Sequence, residues 1–210
     1  MFKNLFNPEN GLMITLGNIA DAIFLSLFWI LGCVPVVTVG ASTAALYDSV
    51  CRAYRKGDKH SWQRFFSTFR RNWKAGILPA ALYLAVFSMG GWCLIQVWNA
   101  AVYGNLSWAV FSGAALVGVL VLGILSVLFP MLSRFENSCG ALLKNTVLLS
   151  LANLPRTLAL GILNAAAIYL CVRFVFPLFF LPGLAALVST WLIEPMFRPY
   201  MPQEEETKSE

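Results

Sequence analysis

The sequence predicts an all-α integral membrane protein with about five transmembrane helices and amphipathic cytoplasmic interfacial helices, and three observations carry that prediction. Of 210 residues, 59% are apolar and only 12% are charged, and the mean hydropathy is +0.70; a soluble domain carries about 25% charged residues. The charges that exist are kept out of three long tracts. Between residues 11 and 47 the only one is Asp21, between 75 and 132 there is none, and between 157 and 193 the only one is Arg173. Finally, Lys and Arg collect in the segments between the tracts, as they do in loops on the cytoplasmic side of a membrane. Residues 1–210 read as a single polytopic membrane domain, with 194–210 a polar cytoplasmic tail.

A helix needs about 20 apolar residues to cross a bilayer. The first tract holds one span, 12–33, which runs into Cys-Val-Pro-Val-Val-Thr-Val-Gly-Ala-Ser at residues 33–42. Pro35 has no amide hydrogen and pushes Val34 toward extended geometry, β-branched residues follow through Thr38, and Gly40 permits a turn. Pro35, Thr38 and Gly40 therefore mark a helix break, read as an elbow at the cytoplasmic end of the span. A new helix restarts near Ala41 with its first amides pointing back at the bundle. The middle tract accommodates two spans, 76–98 and 108–132. The third is barely long enough for two, 157–176 and 178–193, reversing at Pro177, Pro182 and Gly183; one tilted span plus an interfacial segment is the alternative.

Segment 47–74 carries Arg52, Arg55, Lys56, Lys59, Arg64, Arg70, Arg71 and Lys74 against Asp48 and Asp58, which places it in the cytoplasm. Five spans then leave the N-terminus outside and the C-terminus inside, with Lys3 and Arg173 as the external cations. This corresponds to a multi-pass plasma-membrane protein. A cleaved signal peptide fits poorly, because the apolar stretch is too long and positive charge follows it. The net charge of +5 raises nucleic acid as a partner, but the periodicity argues against it. Trp62, Phe65, Phe66, Phe69 and Trp73 share a helical face while Arg64, Arg70, Arg71 and Lys74 occupy the others, with Ser61 as N-cap. Such a helix lies on an anionic lipid surface or docks into a partner's groove. A further helix between Gly140 and Asn153 is too short to cross.

Catalysis would need a nucleophile with a base, paired carboxylates or a metal cluster. His60 is the only histidine, Asp21 and Glu194 lie near opposite faces, and the five cysteines lack metal spacing. No enzyme, cofactor or metal site is expected. One intramembrane polar grouping remains: Asn18 and Asp21 in the first span, Gln96 and Asn99 at the outer end of the second, and Arg173 near the outer end of the fourth. A membrane carboxylate is costly unless paired, and depth matches Asp21 with Arg173. The grouping reads either as an outward-facing pocket for a polar solute such as a sugar or as a helix-pinning network.

The stretches LGNIADAI (16–23), LFWILGCVPVVTVGASTAALY (27–47), FFSTFRRNWKAG (65–76) and SRFENS with LKNTVLLSLANLPRTL (133–158) resemble the YesL-like family of small bacterial membrane proteins, defined by a domain of unknown function. The resemblance implies a companion of carbohydrate-uptake and polysaccharide-degradation systems and supplies no catalytic residues. The expected function is a noncatalytic auxiliary membrane protein of a carbohydrate uptake or utilisation system, acting through its cytoplasmic face. Its partners would be the lipid bilayer and a sugar-transporter subunit or membrane signalling protein. The alternative is a small oligomeric carrier or channel for a polar solute such as a sugar.

Overall fold

Apolar residues on every side of a helix suit lipid, and a helix with a polar stripe needs a protein neighbour; this chain has both kinds. The computed structural model describes residues 11–56, 60–104, 106–135 and 138–200, with only the backbone for 11–16, 18, 55 and 56. The described residues are helical throughout, without strands. In chain order they form α1 (Gly11–Cys33), α2 (Val39–Lys56), α3 (Ser61–Asn72), α4 (Ile77–Val102), α5 (Trp108–Arg134), α6 (Cys139–Ala152), α7 (Leu154–Arg173) and α8 (Leu181–Phe197). Three of them, α4, α5 and α7, are long and apolar enough to cross a membrane. The described apolar part of α1, Ile19–Cys33, is shorter, and α8 has 17 residues including Glu194 and Pro195.

The predicted 157–176 helix starts earlier, at Leu154, because Pro155 suits a first helical turn, and it stops at Arg173 just before Phe174 turns extended. The last helix is displaced correspondingly to begin at Leu181. The elbow is a single 3-10 turn, Val36–Thr38, that leads directly into α2. The Thr38 hydroxyl lies 2.6 Å from the Gly32 carbonyl and 2.7 Å from that of Pro35, so the break supplies its own partner for a carbonyl that the end of α1 would leave open. The first α2 amide is also engaged, Val39 N–H donating to Val36. Gly40 meets the start of α4: a Cβ there would stand 2.7 Å from the Gly76 carbonyl oxygen and 2.9 Å from Ala80 Cβ.

α2 is the centre of the fold. It packs on α1, α3, α5 and α8, and Ala41, Ala44, Ala45, Val50 and Cys51 are buried. The basic segment therefore folds back along the first helix. α3 runs beside α1, with Ser61 at Asp21, Phe28 against Phe65 and Phe66, and Phe69 near Gly32. α5 and α7 cross at very close range: a Cβ on Gly123 would overlap the carbonyl of Thr157, and one on Gly161 that of Val119. This is the small-residue contact that membrane helices use, since hydrophobic burial does not drive them together. α6 tucks under the bundle, burying Leu142, Thr146 and Leu149. The far halves of α4 and α5 project as a hairpin, closed by edge-on contacts among Trp98, Trp108 and Phe111.

Candidate functional site

The polar residues of α2 lie on the face turned toward α5, α8 and α3, so the fold gathers charge at its centre. Glu194 comes from α8, 2% exposed, set in the apolar run Trp191–Phe197. Its Oε1 accepts from Arg134 Nη2 at 2.8 Å, Cys51 Sγ at 3.1 Å and Tyr47 Oη at 3.3 Å. Arg134, the last residue of α5, also donates to Cys51 Sγ at 3.1 Å. Burial first, and then the negative charge of Glu194, pushes the Tyr47 phenol well above its ordinary range, so it remains a donor.

One turn away, Asp48 anchors α3. It is fully buried and accepts from Arg52 Nε at 3.0 Å and from Thr68 Oγ1 at 2.8 Å, with Arg64 Nε 3.4 Å away as an ion pair. Burial alone would raise its carboxyl pKa. The charge of Arg52, the hydrogen bonds from Arg52 and Thr68, and the charge of Arg134 outweigh that and hold it below the usual carboxylate value. Arg71 completes the attachment by donating to the Ser133 carbonyl at 2.9 Å. The arrangement is two carboxylates, Asp48 and Glu194, each shared among helices. A buried, partnered carboxylate of this kind fixes helix register more than it adds stability, because desolvation offsets much of the attraction.

The expected intramembrane polar group is not assembled. Asp21 Oδ2 accepts from Ser61 Oγ at 3.2 Å, the Arg173 guanidinium lies 5.7 Å from the Phe174 ring centroid, and no ion pair joins the two. Gln96 and Asn99 are exposed on α4, and the Asn18 side chain lies outside the described residues. Ser61 serves as the partner of Asp21, and His60 occupies the cap position of α3. The expected aromatic face of α3 divides. Phe65 is buried and Phe69 half-buried against α1, because the fold supplies a protein surface where sequence periodicity suggested lipid. Trp62, Phe66 and Trp73 remain about half exposed, beside exposed Arg70, Arg71 and Lys74.

The residues that sequence reasoning did not single out are Tyr47, Asp48, Cys51, Arg134 and Glu194. The signal was present: a lone Glu within an apolar run, and Asp48 four residues before Arg52 on a helix whose other polar residues are small. A cavity of about 390 Å³ lies beside this centre, among α2, α4, α5, α7 and α8, and none of Asp21, Gln96, Asn99 or Arg173 lines it. Among the described residues, no group of His, Cys, Asp and Glu could hold a metal ion. No curated protein and no solved structure matches the chain. Residues 22–92, from α1 through the elbow, α2 and α3 into α4, match the model of an uncharacterised domain family described as "Protein of unknown function, DUF624".

Proposed function

We propose that this protein is a noncatalytic auxiliary protein of a bacterial plasma membrane that works with a carbohydrate uptake or utilisation system through its cytoplasmic face. The observation that carries the reading is the mounting of α3. Its inner face is locked by Phe65, Thr68 and Asn72, and by the attachment of Thr68 and Arg64 to Asp48, so the helix is held in one orientation. What it presents outward is Trp62, Phe66 and Trp73 interleaved with Arg70 and Lys74, aromatic anchors with cations of the kind that dominate docking surfaces. Catalysis is not part of the reading because the ionisable groups of the central cluster are buried and spent on one another. The likeness of the elbow and the basic segment to the YesL-like family supplies the carbohydrate connection and points to a sugar-transporter subunit or a membrane signalling protein as the partner.

Five passes remain the topology of this reading, with α1 and α8 as shorter crossings beside α4, α5 and α7. It is supported by the apolar outer surface of α1, where Phe24 and Leu31 are each about two-thirds exposed, and by Trp191 on α8. Cytoplasm-specific reporters are expected to work at Gly57 and after Glu210 and to fail at Asn105.

The test is cross-linked co-purification from the native membrane. A transporter or signalling subunit is expected to be captured by the native protein and lost on Trp62→Ser with Phe66→Ser. Purified protein in liposomes is expected to move no sugar. Saturable, solute-specific flux by the pure protein would reject the proposal in favour of a carrier.

A further inference from the structure

The cavity of about 390 Å³ has no charged residue in its wall. Aromatic and aliphatic side chains make most of it, including Trp29, Tyr83, Phe87, Phe129 and Ile168. Several of its polar atoms are already committed. Trp29 Nε1 donates to Thr43 Oγ1 at 3.1 Å, Thr43 in turn to the Val39 carbonyl at 2.8 Å, and Tyr47 to Glu194. Asn164 uses its amide nitrogen on Ser126 Oγ at 3.0 Å and the Leu160 carbonyl at 2.9 Å, which fixes the amide and leaves Oδ1 as an acceptor. The hydroxyls of Tyr83 and Ser189 have no hydrogen-bond partner among the described residues. Three uncommitted polar groups therefore belong to residues that line a mostly apolar space. Its size is that of a small-molecule site.

Its mouth can be located from the packing. α4 and α7 both lie on α5 without packing along one another, and Phe87 on one and Val172 on the other are exposed while also lining the cavity. These are helices long and apolar enough to cross a membrane, so on the topology proposed above the opening faces hydrocarbon. An ion would pay heavily to enter from that side. A sugar would leave most of its hydroxyls unpaired against Phe129 and Leu125, since few wall groups can answer them.

We propose that this cavity binds an uncharged, single-chain lipid bearing hydroxyl and carbonyl groups, of the monoacylglycerol type, which enters sideways from the bilayer between α4 and α7. Asn164 Oδ1 accepts from a ligand hydroxyl, the Tyr83 hydroxyl donates to the ester carbonyl, Ser189 takes a second hydroxyl, and the aromatic walls cover the chain.

The experiment uses the full chain in nanodiscs with a monoacylglycerol carrying a diazirine on its acyl chain. After irradiation, mass spectrometry is expected to place the label on peptides containing residues 83–87 and 164–172. Excess unlabelled monooleoylglycerol should remove it, and oleate or phosphatidylglycerol should not. Ala167→Trp, which fills the cavity, should abolish labelling in protein that elutes as the native species. Tyr83→Phe, which deletes only the hydroxyl, should weaken competition by monooleoylglycerol about threefold to tenfold. Labelling spread over the exposed faces of α4 and α7 that monooleoylglycerol does not displace would overturn the proposal. Equal competition by the charged lipids, or undiminished affinity in Tyr83→Phe, would overturn it as well.

Discussion

α2 and α4 invert the rule that organises soluble proteins. α2 has the more polar sequence, carrying Ser42, Asp48, Ser49 and Arg52, yet it lies at the centre with Asp48 and both serines fully buried. α4 has no charged residue and lies on the outside, with Met89 72% and Trp92 66% exposed. In water both placements would be unfavourable. In a bilayer the apolar surface of α4 costs nothing, and Asp48 of α2 is buried where Arg52, Arg64 and Thr68 partner it. The contrast teaches that the place where a charged side chain finds its partners weighs more in setting helix position than apolar area does.

The sharpest way to break this comparison is to strand a charge at the centre. Glu194→Ala leaves Arg134 buried without its carboxylate, and the detergent-solubilised protein is expected to lose about 3–5 kcal/mol of unfolding free energy. Glu194→Gln removes the carboxylate charge but keeps an acceptor oxygen for Arg134, Cys51 and Tyr47, and should lose less. A loss under about 1 kcal/mol for the alanine variant, read by denaturant titration, would mean that the pair is solvated and that the centre is not polar by design.

Glycines provide a second comparison. Gly161→Val pushes a side chain into the Val119 carbonyl and is expected to cost about 3 kcal/mol through forced separation of α5 and α7. Gly90→Ala on α4 meets nothing within 4 Å and should leave stability the same or raise it by up to about 1 kcal/mol. Equal effects from the two changes would show that α4 carries a protein contact on its outer face.

Acid sharpens the account of α2. The folded pKa of Asp48 is depressed below the unfolded value of about 3.8, so its contribution is complete above that value and disappears as pH falls through the folded one. Asp48→Asn should cost about 2 kcal/mol at neutral pH, in the range of hydrogen bonds to charged groups, and should flatten the loss of stability below about pH 4. An unchanged acid limb in the variant would assign that limb to other carboxylates. The smallest expected effect is on the outer helix, where Trp92→Leu should change stability by no more than about 0.5 kcal/mol.

Much of the fold was legible because lipid imposes a simple rule on sequence. Tracts without charge had to be helices, and their limits at residues 33, 76 and 108 fall within a residue of the structure's. The elbow was legible from Pro35 and Gly40, with Thr38 supplying a partner that composition alone does not reveal. The centre was harder to read. Arg134 follows its apolar run and Glu194 interrupts the last one near its close, where sequence gives water as the natural environment. Nothing local says that α2 would cover both. Asp21 was matched with Arg173 by depth, whereas the folding back of α3 brings Ser61 to it first. Depth along a span does not anticipate a helix that folds back beside it, as α3 does beside α1.

Ser26 illustrates a consequence in time. Its hydroxyl holds the Gly183 amide at 2.8 Å across 157 residues of chain. At a synthesis rate of about 5–20 residues per second, α1 waits roughly 8–30 s after it is made before α8 exists to cover Ala22 and Ser26. Over the same interval α2 and α5 can pack together, but Arg134 has no Glu194 to meet. α8 thus carries both a cover for α1 and a counter-charge for the end of α5, and neither contact can form before it has been made.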